Sequence, residues 1–296
     1  MTSGAQWFSA TPTVAACSCQ KECISTAHAI HVENGELADL PQKRREVRVD
    51  GKRLETLLIL PTPDAPVMVM LHEGLGSIAM WKDFPLRIAE ATSCGVLVYS
   101  RYGHGQSQRL AEKRSVDFMH QEAKVVLPEL LGQFEIQRPI LLGHSDGGSI
   151  ALIYAGTWPE RVRGLVLEAP HAFVEDFGLR STVAIREAYE STELREKLAR
   201  YHDHVDETFH GWSDIWLDPR FREWNIEEYL DAITCPTLVI QGEDDEYGTV
   251  AHVAAIQRRV HRAQTLILRR CGHSPHRDQP DLTLEAISKF VASISV

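Results

Sequence analysis

Three kinds of side chain that cooperate in nucleophilic catalysis stand at the ends of apolar runs. Ser145 lies in Gly143-His144-Ser145-Asp146-Gly147, directly after Pro139-Ile140-Leu141-Leu142 and before Ser149-Ile150-Ala151-Leu152. His273 follows Leu266-Ile267-Leu268, and the acidic run Glu243-Asp244-Asp245-Glu246 follows Leu238-Val239-Ile240. A serine hydroxyl is a poor nucleophile at neutral pH. It needs a base to take its proton and an acid to orient that base. Small residues two positions either side of Ser145 suit a sharp strand-to-helix turn that strains the serine backbone. Such a turn also aims the first N–H groups of the helix at whatever bonds to the serine oxygen.

Elements of matching type surround these residues. From about residue 44, short β-branched or Leu-rich runs alternate with longer amphipathic stretches. Arg45–Val49 and Leu54–Leu60 read as an antiparallel pair turning at Asp50-Gly51. Val67–Leu71 is apolar throughout, as a strand covered on both faces should be, and Gly95–Tyr99, Pro139–Leu142, Arg163–Leu167, Pro236–Ile240 and Thr265–Leu268 repeat that type. Helical patterns fall at Val116–Phe134 (after a Ser115 cap), Ser149–Trp158, Val250–Val260 and Asp281–Val291. The alternation predicts an α/β fold with a doubly wound, mostly parallel sheet. About 60 residues between Pro170 and Cys235 are too long for a structureless loop. With helical patterns at Thr182–Tyr189, Glu193–Tyr201 and Ile226–Ala232, they read as an inserted helical cap. The expected organisation is an extension over 1–40, a core over 44–170 and 233–296, and a cap over 171–232.

The turn, the acidic run and the histidine follow one another in the order serine, acid, histidine, each at a strand end. In these motifs residues 44–296 resemble the α/β-hydrolases, here a serine-nucleophile member with a helical cap. In that family the acid lies three residues after a glycine like Gly242, which implies Asp245, with Asp244 as the alternative. The Gly-His-x-Pro context implies His273 as the base over His276. Leu71-His72-Glu73-Gly74-Leu75-Gly76 resembles the family's His-Gly-x-x-Gly, which implies that the N–H groups of Gly74 and Asp146 form the oxyanion hole. Glu73 departs from that pattern. Tyr99-Ser100-Arg101-Tyr102-Gly103-His104-Gly105-Gln106-Ser107 resembles Asp-x-Arg-Gly-x-Gly-x-Ser, with Ser100 and Tyr102 as departures and a structural role expected. Leu75, His144, Trp212 and Trp216 are the candidates for substrate contact, although His144 beside the nucleophile is common in this motif and points away from the reaction. Trp224 is expected to pack within the cap. Asp146 also resembles the acid that meets a substrate amine in valacyclovirase-like hydrolases; a structural role is the other reading.

The resemblance implies a cofactor-independent serine hydrolase that cleaves a carboxylic ester through an acyl-enzyme. Thioesterase, carbon–carbon bond hydrolase and a non-catalytic ligand-binding homologue are the alternatives. Haloalkane dehalogenases and epoxide hydrolases of this fold use an aspartate where Ser145 stands. Composition narrows the partners: 31 basic against 41 acidic residues give a formal charge of −10 with no long basic run, which disfavours nucleic acid and anionic membranes. No apolar stretch reaches the roughly 20 residues that span a bilayer. Val14-Ala15-Ala16-Cys17 only faintly resembles a lipoprotein box, because no apolar stretch precedes it. Six Cys are too few for a disulfide scaffold; Cys94, Cys235 and Cys271 read as core residues. Cys17, Cys19 and Cys23 fit no zinc spacing, so no metal is expected. A cytoplasmic monomer or homodimer acting on a small acyl substrate, with residues 1–40 dispensable, is the expectation.

Overall fold

Residues 40–294 are described by the computed structural model of this chain. Expectations for the N-terminal extension, its lipoprotein-like box and Cys17, Cys19 and Cys23 lie outside the described residues. The strands are β1 (Gln42–Val49), β2 (Lys52–Ile59), β3 (Val67–Leu71), β4 (Gly95–Tyr99), β5 (Ile140–His144), β6 (Gly164–Glu168), β7 (Thr237–Gly242) and β8 (Ala263–Leu268). They form one eight-stranded sheet in the order β1-β2-β4-β3-β5-β6-β7-β8. β2 pairs antiparallel with β1 and β4, and all other neighbours run parallel.

β8, expected to be covered on both faces, lies at the sheet edge and leaves Gln264, Thr265 and Ile267 exposed. Alternation along the inner strands feeds two cores. Val69, Leu71, Leu97, Leu141, Leu167 and Val239 pack on one face, and Met68, Met70, Val98, Ile140, Leu142 and Ile240 pack on the other. That is why the strands read as continuous apolar runs. Leu142 is wholly buried, so Leu142→Ala is expected to cost about 2–5 kcal/mol, read as a lower urea midpoint at unchanged slope. Cys94, Cys235 and Cys271 are buried free thiols.

The helices are α1 (Phe84–Thr92), α2 (Phe118–Gln121), α3 (Leu127–Gln133), α4 (Asp146–Thr157), α5 (Asp176–Ser191), α6 (Leu194–Leu198), α7 (Val205–Trp216), α8 (Val250–Arg259), α9 (Pro275–Asp278) and α10 (Pro280–Ile294). Several differ from the sequence reading. The expected helix from Val116 starts at Phe118, and a π turn over Glu122–Val126 separates α2 from α3. Pro128 has no N–H to offer the Lys124 carbonyl, so the preceding turn widens. α4 begins at Asp146, not Ser149, directly against the nucleophile candidate. Ile226–Ala232 is not an α-helix but a 3₁₀ turn over Glu227–Ala232. α1 and α7 lacked a clear signal. Pro85 reads as a breaker yet is tolerated in a first turn, and Gly211 weakens α7 until Phe209, Trp212 and Trp216 bury its apolar stripe. Among the described residues no helix is long and apolar enough to cross a membrane.

Candidate active site

Ser145 sits between β5 and α4 at φ 54° and ψ −118°, a region that a side chain rarely adopts and that costs about 1–3 kcal/mol. Close packing holds it there. A Cβ on Gly143 would lie 2.3 Å from the Gly147 carbonyl oxygen, and one on Gly147 would lie 2.0 Å from that of Leu71. The Ser145 N–H donates to the Glu168 carbonyl at 2.9 Å, tying the turn to the end of β6.

Asp245 and His273 pair where His273 reaches the cavity that Ser145 also lines. His273 Nδ1 lies 2.9 Å from both Asp245 carboxylate oxygens. The Tyr247 and Gly248 amides donate to Asp245 Oδ1 at 2.8 and 3.1 Å, and Gln241 Nε2 donates to Oδ2 at 2.7 Å. Burial would push the Asp245 pKa up. The His273 hydrogen bond and charge, with the two amides, hold it below the ordinary carboxylate value instead. Glu243, Asp244 and Glu246 are exposed while Asp245 is buried, so Asp244 stays outside the pair. Gly242 is required by close approach rather than by turn flexibility, because a Cβ there would lie 2.2 Å from both the Cys271 and Gly272 carbonyl oxygens. Burial pulls the His273 imidazole down, but the Asp245 hydrogen bond and charge, with Glu246 and Glu73, leave it above 6.5.

Ser145 and His273 line one cavity of about 240 Å³ together with Gly74, Leu75, Trp212 and Trp216. Asp146 is the first residue of α4, where N–H groups have no intrahelical acceptor. Its carboxyl group is wholly buried 3.8 Å from Arg101 Nη2. Burial raises its pKa against the pull of Arg101 and Arg114. The Trp212 indole from α7 packs against Gly74: a Cβ there would lie 2.1 Å from Trp212 Nε1. His144 does not line the cavity. It is buried behind His273, with Nε2 2.7 Å from the His273 carbonyl oxygen, and burial takes its pKa down to about 3. Trp224 is buried among Trp216 and Phe221. His276 instead pairs with buried Glu168 at 2.7 Å.

Sequence reasoning missed other parts of the cavity. Glu73 lines it, its carboxylate lying 3.8 Å from His144 Nδ1 and against Gly76. His171, Tyr247 and Ile185 line it too, and no local spacing marks them. Ser100 replaces the family's aspartate without leaving a gap. Its hydroxyl donates to Glu55 at 2.5 Å and accepts the Ile78 N–H at 2.9 Å, so β2 supplies the carboxylate. Among the described residues no group of three or more His, Cys, Asp or Glu could hold a metal ion.

Residues 68–286 match the Alpha/beta hydrolase family. A proline iminopeptidase of Thermoplasma volcanium is 25% identical over 249 residues, covering 70% of this chain and 82% of that protein. A 2-hydroxymuconate semialdehyde hydrolase of Pseudomonas sp. is 28% identical over 230 residues, 70% of this chain and 80% of its own. The solved structure of a 2-hydroxy-6-oxo-6-phenylhexa-2,4-dienoate hydrolase from Rhodococcus superposes with a TM-score of 0.71 at 16% identity, covering 86% of this chain and 99% of that one. A thermophilic esterase of Thermogutta terrifontis gives 0.67 at 20%, with coverage of 86% and 100%. With a doubly wound, mostly parallel sheet and a family match over most of its length, this chain belongs to the alpha/beta hydrolase family.

Proposed function

We propose that this protein is a serine hydrolase of carboxylic esters. The observation that carries the reading is the Asp245–His273 pair at 2.9 Å, with His273 and the strained Ser145 on the wall of one cavity. With Nδ1 held by Asp245, His273 keeps Nε2 as the atom that accepts the Ser145 proton. The hydroxyl oxygen then bonds to the acyl carbon, and the ester C=O pair moves onto oxygen between the Gly74 and Asp146 N–H groups. Each such donor is worth about 3–4 kcal/mol. Collapse of the tetrahedral species breaks the acyl–alkoxide bond, and His273 returns its proton to the leaving alcohol. Water, deprotonated by His273, repeats the sequence on the acyl-enzyme and frees the acid. The helices between β6 and β7 serve here as a cap that closes the acyl site with Trp212, Trp216 and Ile185.

The test is turnover of p-nitrophenyl esters beside an acyl-CoA thioester, a ring-cleavage dienoate and a prolyl p-nitroanilide. Preferred cleavage of the last three would replace the ester reading by the corresponding class. At about 240 Å³ the cavity is smaller than ordinary ligand pockets of roughly 300–1,000 Å³. kcat/KM is therefore expected to fall from p-nitrophenyl butyrate to the dodecanoate; an equal or rising series would contradict the volume argument.

The pH dependence has a definite sign. Burial opposes protonation of His273, but the carboxylates of Asp245, Glu246 and Glu73 favour it, and only the neutral ring accepts a proton. kcat/KM for p-nitrophenyl acetate is expected to rise with pH through a midpoint above 6.5. Glu73→Gln removes one of the three negative charges and is expected to lower that midpoint. A profile flat across this range would remove His273 from the role of base.

A further inference from the structure

The loop that carries Gly74 is neither helix nor strand, yet an oxyanion donor must be held still to be useful. Three successive carbonyls of this loop are each taken by buried side chains. The Glu73 oxygen accepts from His72 Nδ1 at 2.7 Å and from Arg101 Nη2 at 2.9 Å. The Gly74 oxygen accepts from His104 Nε2 at 2.9 Å, and the Leu75 oxygen from His202 Nε2 at 2.8 Å. A carbonyl only accepts, so each of these ring nitrogens carries the hydrogen. The opposite nitrogen of each ring meets a donor: Arg101 N–H on His72 at 3.0 Å, Arg114 Nη2 on His104 at 3.1 Å and Gly105 N–H on His202 at 2.9 Å. His72 and His202 therefore each donate once and accept once, as only neutral imidazole can, while His104 Nδ1 also lies 3.2 Å from the Tyr102 carbonyl oxygen. With the Gly76 N–H at 3.0 Å, the three donors on the Glu73 carbonyl also polarise the peptide whose nitrogen belongs to Gly74, strengthening that N–H.

His202 stands apart because it comes from the helical segment, between α6 and α7. Around it the Asp203 N–H donates to the Gly105 carbonyl at 3.0 Å, and the Thr208 hydroxyl to that of Gly103 at 2.6 Å. We propose that Arg101, His72, His104 and His202 clamp the loop with the Gly74 N–H facing the reacting carbonyl, and that His202 is the positioning residue through which the helical segment sets the oxyanion site. The catalytic consequence rests on the ester-hydrolase reading above; the mechanical one rests on the hydrogen bonds alone.

Two variants separate the clamp from general stability. His202→Gln keeps an amide nitrogen at the reach of Nε2 and so retains the donor to Leu75. His202→Asn reaches only as far as Nδ1, keeping an acceptor for the Gly105 N–H and losing the Leu75 contact. For each, kcat and KM are measured on p-nitrophenyl acetate, binding on phenylboronic acid, which forms a tetrahedral adduct with a serine, and deuterium uptake on the peptide covering residues 71–80. His202→Asn is expected to lower kcat about tenfold to a hundredfold, the scale of a small misplacement, with KM nearly unchanged. It is also expected to weaken the boronate by a similar factor and to speed uptake at 71–80. His202→Gln is expected to restore most of each. Two variants that both match the wild type, or that are folded and equally impaired, overturn the proposal. So does faster uptake in the Asn variant at unchanged kcat in an active enzyme. A wild type that hydrolyses no ester and binds no boronate removes the ester reading, and deuterium uptake then decides the clamp: faster in Asn than in Gln upholds it, equal in both overturns it.

Discussion

Replacing Ser145 by Ala is expected to lower kcat on p-nitrophenyl acetate by about a millionfold, the scale reached when the serine of a hydrolase triad is removed. A fluorophosphonate should label the wild type at Ser145 and leave the variant unlabelled, as read by peptide mass spectrometry. The expectation follows from the elbow. Positive φ at residue 145 lifts the side chain off the strand, and the neighbouring glycines leave no room for the turn to relax. Alanine tolerates that backbone no worse than serine and removes one oxygen, so the thermal midpoint should barely move. Labelling at another serine, or substantial residual turnover, would show that the nucleophile lies elsewhere.

Asp245→Asn is expected to cost about 10⁴ in kcat, as the loss of the acid does in a serine protease, whereas Asp244→Asn should cost less than about tenfold, since an exposed charge is screened. The hydrogen bonds explain the difference. Asp245 accepts from His273, from the Tyr247 and Gly248 amides and from Gln241. An asparagine keeps one acceptor oxygen, which the two backbone amides claim. Its NH₂ then faces His273 and forces Nδ1 to accept, placing the ring hydrogen on Nε2, where it blocks proton transfer from Ser145. Circular dichroism should show both variants folded. An inactive Asp244→Asn beside an active Asp245→Asn would assign the acid to the neighbouring position.

Local chemistry was enough to reveal much of this protein. The apolar runs, the Gly-x-Ser-x-Gly turn and the alternation of strands with helices depend on residues within a few positions of one another, so the doubly wound α/β fold could be read directly. The placement of Ser145, His273 and an acidic run at strand ends was legible for the same reason. Which of four adjacent carboxylates turns inward came only from the family resemblance, which implied Asp245, and the sign of its pKa shift was not legible at all. Both depend on Gln241, on the amides after it and on a histidine 28 residues away. α1 and α7 escaped detection because a proline and a glycine weaken their local signal, and packing alone restores them. Several residues of the cavity were legible, but the contacts that build it and hold the Gly74 loop were decided by the tertiary structure. Glu73 after β3 reaches His144 at the end of neighbouring β5, Trp212 closes on Gly74, and His202 meets Leu75 over 127 residues of sequence. No periodicity encodes such contacts, because they form only when separate elements are packed onto one sheet.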